Sequence, residues 1–165
     1  MNERAHPGDR VRVSVRVDVE RAEAFRIFTE EIDRWWRHGM AYRVAGKRRG
    51  IIALEPRLGG RLYESFETKS GPKIIETGKV LVWQPPEHLR LEWRNVNFAA
   101  NEVTHVDVAF EMSGGSTLVT VTHSGWSSLR PDHPARHGRD IGPFIAATGR
   151  WWGELLRSFQ LLAEA

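Results

Sequence analysis

The stretch Val80-Leu-Val-Trp-Gln-Pro-Pro-Glu-His-Leu-Arg-Leu-Glu-Trp93 contains two strand-like runs separated by a Pro-Pro pair. Apolar residues recur along both runs with the β-branched and aromatic content that is typical of strands. Proline cannot donate a ladder hydrogen bond, so Pro85 and Pro86 end the first strand and form a corner before the second. We therefore expect an antiparallel strand pair that meets at this corner.

The same strand-like pattern extends to both sides of this stretch. Thr117-Leu-Val-Thr-Val-Thr-His-Ser-Gly-Trp126 predicts a later strand that ends in a small turn, and Gly114-Gly115 predicts a tight hairpin before it. Valines alternate with polar residues near the start of the chain, which indicates a half-buried strand. Strands are expected at 11–19, 51–55, 61–68, 73–83, 88–96, 103–113 and 116–124.

Helical periodicity appears at two places outside this strand region. Apolar residues between Glu20 and Trp36 recur at helical spacing, which predicts one or two short helices that end by about Gly39. A long amphipathic helix is expected from about 139 to 163, with Pro143 in its first turn. The fold class is therefore α+β: an antiparallel sheet of six to seven strands, two short helices after strand 1, and a long C-terminal helix covering the sheet.

The composition restricts the class of protein. The 165 residues are 41% apolar and 27% charged, which fits one domain over 11–165 after a flexible segment over 1–10. There is no cysteine, and therefore no disulfide or thiolate zinc site. The net charge of +3 is mild and scattered, so nucleic acid is not an expected partner. We find neither a signal peptide nor an apolar run of about 18 residues, and expect a cytoplasmic protein without a membrane span.

Several short motifs, taken in order, resemble one family. They are the Trp35-Trp36 pair, Glu55-Pro-Arg-Leu-Gly-Gly60, Trp83-Gln-Pro-Pro-Glu-His-Leu-Arg-Leu-Glu-Trp93, Glu102-Val-Thr104, His123-Ser-Gly-Trp126 and Trp152-Gly-Glu-Leu-Leu-Arg-Ser-Phe159. The chain resembles the homologues of the activator of heat-shock-protein ATPase (AHSA-type), within the START-like, birch-pollen-allergen (SRPBCC) superfamily. The resemblance covers roughly Val11 to Leu162. It implies a helix-grip fold, in which a curved sheet grips the C-terminal helix around a hydrophobic cavity.

Candidate ligand-binding residues are those that could line such a cavity. They are Trp36, Glu64, Phe66, Trp93, Phe110, His123, Phe144, Thr148, Trp151, Trp152 and Leu155. For each aromatic residue, ordinary core packing is the competing interpretation. As a set, they suit a large apolar or aromatic ligand.

Two titratable residues have open roles. Glu64 shares a strand face with Leu62 and Phe66, and is either a carboxylate in an apolar chamber or a solvated side chain. His123 is either a ligand contact or acid–base group, or a structural histidine that fixes the turn after it. No partnered Ser or Cys nucleophile is visible for His123, and we assign no catalytic residue.

Two further polar patterns are weak. His133 and His137 have metal-ligand spacing only on a helix, and the intervening Pro134 makes a helix doubtful; we therefore expect neither a metal site nor a cofactor. Arg150 and Glu154 are expected to form an exposed i,i+4 ion pair on the terminal helix.

Three functions remain open. The first is binding of a hydrophobic or aromatic small molecule. The second is a cofactor-free cyclase or dehydratase that uses a cavity acid or base. The third is an interaction with a chaperone ATPase in the stress response. The third is the least favoured, because chaperone activators of the family carry a further domain with no counterpart here. A homodimer is compatible with the sequence.

Overall fold

Seven antiparallel strands form one curved sheet in the described part of the computed structural model, which covers residues 10–94, 98–99, 102–126 and 141–165. The strands are β1 Arg10–Val17, β2 Gly50–Leu54, β3 Arg61–Thr68, β4 Gly71–Gln84, β5 His88–Trp93, β6 Thr104–Ser113 and β7 Ser116–Ser124. Their order across the sheet is β1-β7-β6-β5-β4-β3-β2. The predicted antiparallel sheet is confirmed. The part of the fifth predicted strand beyond residue 94 lies outside the described residues.

The two turns that the sequence marked most clearly are hairpin connections. At the Pro-Pro corner, Gln84 pairs with His88, and the Glu87 N–H donates to the Gln84 carbonyl at 2.8 Å. Between β6 and β7, Ser113 pairs with Ser116, and Gly114 has a φ of 62°, a conformation that favours glycine. Both corners therefore set the register of the strands that they join.

Three helices complete the described fold. They are α1 Arg21–Glu30, α2 Ile32–Trp35 and α3 Ile141–Ala163. The two predicted short helices are confirmed, and so is the long helix, although residues 139 and 140 lie outside the described part. Helix α3 packs against β1 and also contacts α1 and α2. The resulting α+β arrangement is a helix-grip fold.

The buried face of the sheet forms most of the core. Along β3, Leu62, Glu64 and Phe66 are buried and alternate with more exposed neighbours, so Glu64 lies on the concave face. The apolar side chains of α3 cover the β1 side of this face, with Trp152, Leu155 and Phe159 fully buried. Residues 1–9 and 127–140, which include His133 and His137, lie outside the described part. Within the described part, no helix combines the length and apolar character that crossing a bilayer requires.

Candidate functional site

Four indoles meet between the concave face of the sheet and α3. We call Trp36, Trp93, Trp151 and Trp152 the tryptophan cluster. The ring of Trp36 stacks on Trp93 with centroids 6.0 Å apart, and meets Trp151 and Trp152 edge-on at 5.8 and 5.7 Å. Three of the rings are buried, whereas Trp151 is half-buried. The structure therefore brings together four of the predicted ligand-binding residues, and one of them reaches solvent.

A chain of hydrogen bonds links α3 to two strands through His123. The Trp152 Nε1–H donates to His123 Nδ1 at 3.1 Å, so the proton of the neutral ring is on Nε2. His123 Nε2 then donates to Thr104 Oγ1 at 2.8 Å, and the Thr104 hydroxyl donates to the Trp93 carbonyl at 3.2 Å. Both ring nitrogens are thus occupied, which gives His123 a positioning role for Trp152.

Burial keeps His123 uncharged. Desolvation lowers its pKa to about 3, and the nearby His105 adds to the effect. The His123 ring also packs against the Trp126 ring, with centroids 4.3 Å apart. Trp126 in turn meets Phe144 edge-on, with centroids 4.9 Å apart. These contacts extend the aromatic surface from the tryptophan cluster to the beginning of α3.

The carboxylate of Glu64 binds backbone amides of the loop between α2 and β2. We call residues 37–49 the covering loop. Glu64 accepts hydrogen bonds from the N–H groups of Val44 at 2.8 Å and Ala45 at 3.1 Å. The question of which face Glu64 occupies is therefore resolved: it is buried on the concave face, and it holds the covering loop against β3.

Arg43 is the second anchor of the covering loop. Its buried guanidinium donates to Asp33 Oδ1 at 2.8 Å and to the Trp36 carbonyl at 2.6 Å. The neighbouring Tyr42 stacks on Trp151 with centroids 5.9 Å apart, and Trp151 Nε1 donates to the Ala41 carbonyl. The loop thereby closes over the exposed edge of the tryptophan cluster.

Sequence reasoning missed Tyr42 and Arg43, although they complete the site. In sequence, Arg43 lies in a segment rich in basic residues and has no feature that distinguishes it from a surface cation. Tyr42 is an isolated aromatic residue in a loop. Its contact with the tryptophan cluster marks Tyr42 as part of the site, but that contact is visible only once the fold is known.

The remaining candidates lie around the cluster or apart from it. Phe66 is buried beneath Arg48, whose guanidinium carbon is 5.5 Å from the ring centre. Thr148 is half-buried on α3, and its hydroxyl donates to the Phe144 carbonyl. Leu155 is fully buried in the core. Phe110 lies apart from the cluster, with Phe25 and Phe28 at 5.0 and 5.6 Å.

One surface expectation is wrong. Arg150 and Glu154 form no ion pair in the described structure, because Glu154 instead pairs with Arg37 of the covering loop. The interaction therefore joins α3 to the loop rather than two turns of one helix. Among the described residues, no three His, Asp or Glu side chains are grouped as metal ligands would be.

A separate pocket of about 330 Å³ lies on the outside of the fold, between α1 and the Pro-Pro corner. Phe25, Trp83, Pro85 and Pro86 are among the residues that line it, and the rings of Phe25 and Trp83 meet edge-on with centroids 5.1 Å apart. Sequence analysis did not predict it, because α1 and the corner are distant in the chain. We call it the outer pocket.

A family model described as "Activator of Hsp90 ATPase homolog 1-like protein" matches residues 18–159. The chain belongs to this family. The match begins just after β1 and ends one turn before the end of α3, and so includes the tryptophan cluster, the covering loop and His123. No curated protein matches the chain.

Several solved structures share the fold of this chain. The Aha1 dimer from Colwellia psychrerythraea, solved in solution, has 15% identity and a TM-score of 0.62, and the match covers 94% of this chain and 96% of that one. Protein CV1439 from Chromobacterium violaceum has 13% identity and a TM-score of 0.62, with coverages of 95% and 98%. Protein MLL2253 from Mesorhizobium loti has 16% identity and a TM-score of 0.60, with coverages of 93% and 95%. At these identities the likeness concerns the fold alone.

Proposed function

We propose that this family member binds a hydrophobic or aromatic small molecule between the concave face of the sheet and α3. The tryptophan cluster is the observation that carries the proposal. Indole rings provide a large apolar contact area with little side-chain entropy to lose, and apolar pockets with few polar groups are typical of small-molecule sites. The half-buried Trp151 offers the ligand a contact at the edge of the cluster.

The hydrogen bonding of the two titratable candidates favours binding over acid–base catalysis. Glu64 uses both carboxylate oxygens on the covering loop, and His123 uses both ring nitrogens on Trp152 and Thr104. A general acid or base needs a free atom that points at the substrate. The proposed site therefore relies on shape and apolar contact.

A second candidate function comes from the family description, which names an activator of the Hsp90 ATPase. In that role the protein would act through its surface on a chaperone, without a bound small molecule. Capture of purified Hsp90 by the immobilised protein, together with a rise in its ATPase rate, is the test of this candidate.

Homodimerisation is a further proposal about assembly. It is supported by the relative from Colwellia psychrerythraea, which was solved as a dimer and shares this fold over nearly the whole chain. Light scattering at several protein concentrations distinguishes a dimer from a monomer.

Binding is best tested with a neutral lipophilic fluorophore, N-phenyl-1-naphthylamine, titrated into the full chain. Saturable energy transfer from tryptophan to the probe is expected. Trp151→Ala should weaken binding by up to about tenfold, because a lost aromatic contact is worth roughly 0.5–1.5 kcal/mol. Native mass spectrometry of freshly purified protein should in addition reveal a co-purifying small molecule.

Trp83→Ala is the matched control, because Trp83 is a half-buried tryptophan that lines the outer pocket instead. It should leave the affinity unchanged. If only Trp83→Ala weakens binding, the ligand belongs to the outer pocket. If the intact protein binds no probe, the ligand-binding proposal fails and the chaperone candidate gains support.

A further inference from the structure

The segment between Asp33 and Glu55 contains arginines and a lysine but no acidic residue. Its cations divide into two groups. The first group is neutralised locally by carboxylates: Arg34 pairs with Glu31, Arg37 with Glu154 and Arg43 with Asp33. The second group is Lys47, Arg48 and Arg49, which are all exposed and take part in no ion pair within the described structure.

The strand register brings two more cations to the same end of the sheet. Phe66 pairs with Gly50 on one side and with Lys73 on the other, and Arg48 lies over its ring. Lys69 is exposed in the turn that joins β3 and β4. We call Lys47, Arg48, Arg49, Lys69 and Lys73 the basic end. Glu67, an exposed carboxylate on the same hairpin, offsets one of these five positive charges and leaves the basic end clearly positive.

Exposed aliphatic side chains accompany these cations. Met40 is 81% exposed and lies against Gly46, next to Lys47. Ile51 and Ile74 are 49% and 55% exposed, and both pair with Ser65, so they flank Ser65 from either side on the convex face of the sheet. Exposed apolar side chains beside a cluster of Lys and Arg are the combination found on protein surfaces that bind anionic membranes.

We propose that the basic end binds the surface of a bilayer that contains anionic lipids. The cations would attract the headgroups, while Met40, which is exposed beside Lys47, would enter the boundary between headgroups and acyl chains. Single-stranded nucleic acid is bound through cations interleaved with exposed aromatic rings. Here the exposed apolar groups are aliphatic and Phe66 is buried, which favours a lipid surface.

This inference goes beyond the proposed ligand binding and does not depend on it. The covering loop is nevertheless common to both sites. Its Tyr42 and Ala41 contact Trp151, while its Met40 and Lys47 belong to the proposed membrane-facing surface. A bilayer at the basic end would therefore contact the same loop that closes over the tryptophan cluster.

The test is co-sedimentation of the full chain with phosphatidylcholine vesicles that contain or lack 30% phosphatidylserine, at about 0.1 M salt. Binding is expected only with phosphatidylserine. Each Lys or Arg near an anionic surface contributes about a factor of five, so K47Q/R48Q/R49Q should weaken partitioning by about 100-fold. R10Q/R12Q/R150Q removes the same charge from exposed arginines elsewhere and should have a much smaller effect.

Contact of Met40 with lipid can be measured by fluorescence from one cysteine label, because the chain has no cysteine of its own. Met40→Cys labelled with an environment-sensitive fluorophore should shift to shorter wavelength on vesicle binding. Met112→Cys is the control, since Met112 is 69% exposed near the β6–β7 hairpin at the other end of the sheet. The proposal is overturned by absent vesicle binding, by equal losses in the two triple variants, by equal shifts at both labels, or by tighter binding to an oligonucleotide than to vesicles.

Discussion

His123 is a buried side chain that joins β7 to α3 and also makes the stability of the fold depend on pH. Its folded-state pKa of about 3 lies well below the usual value for histidine, so below about pH 6.5 the unfolded chain binds a proton that the folded protein does not. The stabilising contribution of the neutral ring is therefore complete above pH 6.5. It is lost progressively as the pH falls from 6.5 towards 3.

We predict that the free energy of unfolding falls by about 2 kcal/mol from His123 alone between pH 6.5 and 4.5. Urea titrations at several pH values measure it. His123→Asn should remove that part of the pH dependence, whereas His105→Asn should remove less, because the pKa of His105 is lowered but that residue is only partly buried. If the free energy of unfolding of His123→Asn fell with pH as steeply as that of the unaltered protein, protonation of His123 would not be the cause.

Trp152 is the tryptophan on which this network converges, and its loss should be costly. It is 1% exposed, so Trp152→Ala leaves a cavity and is expected to destabilise the protein by roughly 3–5 kcal/mol. Trp151→Ala is the matched control on the next residue of α3. Because Trp151 is half-buried, its loss should cost less. Equal changes in the free energy of unfolding would mean that the burial difference between the two rings is not maintained in solution.

At the scale of elements, the regular parts were predictable and the covering loop was not. Alternating valines in β1 and three-to-four-residue spacing in α3 are local signals, and both are confirmed. The anchors of the covering loop are long-range: Glu64 reaches backbone amides 20 and 19 residues away, and Arg43 reaches Asp33 on α2. The two-residue alternation along β3 predicts that Glu64 shares a face with Leu62 and Phe66. It does not predict the hydrogen-bond partners of Glu64, because these depend on how the covering loop folds back over β3.

The anchoring of the covering loop leads to a third prediction. Arg43→Ala removes a guanidinium with only 2% of its side chain exposed, and leaves Asp33 and the Trp36 carbonyl without that donor. Because Asp33 is 42% exposed and keeps the hydrogen bond from the Ile52 N–H, the main cost is the buried Trp36 carbonyl left without this donor, about 1–3 kcal/mol. Trypsin cleavage at Lys47, Arg48 and Arg49 should also become faster as the loop is released. Arg49→Ala, which removes an exposed arginine, should change stability little; similar losses in both variants would refute the anchoring role.

For the whole molecule, the question is whether the sheet can exist without the helix that it grips. Helix α3 contributes Trp152, Leu155, Leu156 and Phe159, each nearly or fully removed from solvent. Burial of such side chains is worth about 1.5–3 kcal/mol each, so their sum is comparable with the roughly 5–15 kcal/mol that holds a typical domain together. Removal of α3 would also expose the tryptophan cluster and break the bond from Trp152 to His123.

We therefore expect a chain that ends at Gly138 to lose cooperative folding altogether, not merely ligand binding. Circular dichroism melts and dispersion of amide proton resonances measure this. The control is a chain that ends at Ala163, which keeps all of α3 and loses the Glu164 contact with the Asp18 N–H and two backbone hydrogen bonds after the helix. That control should melt cooperatively near the temperature of the full chain. A soluble, cooperatively melting fragment that ends at Gly138 would mean that the sheet buries its concave face by another route, and the tryptophan cluster would then have no fixed wall against which to hold a ligand.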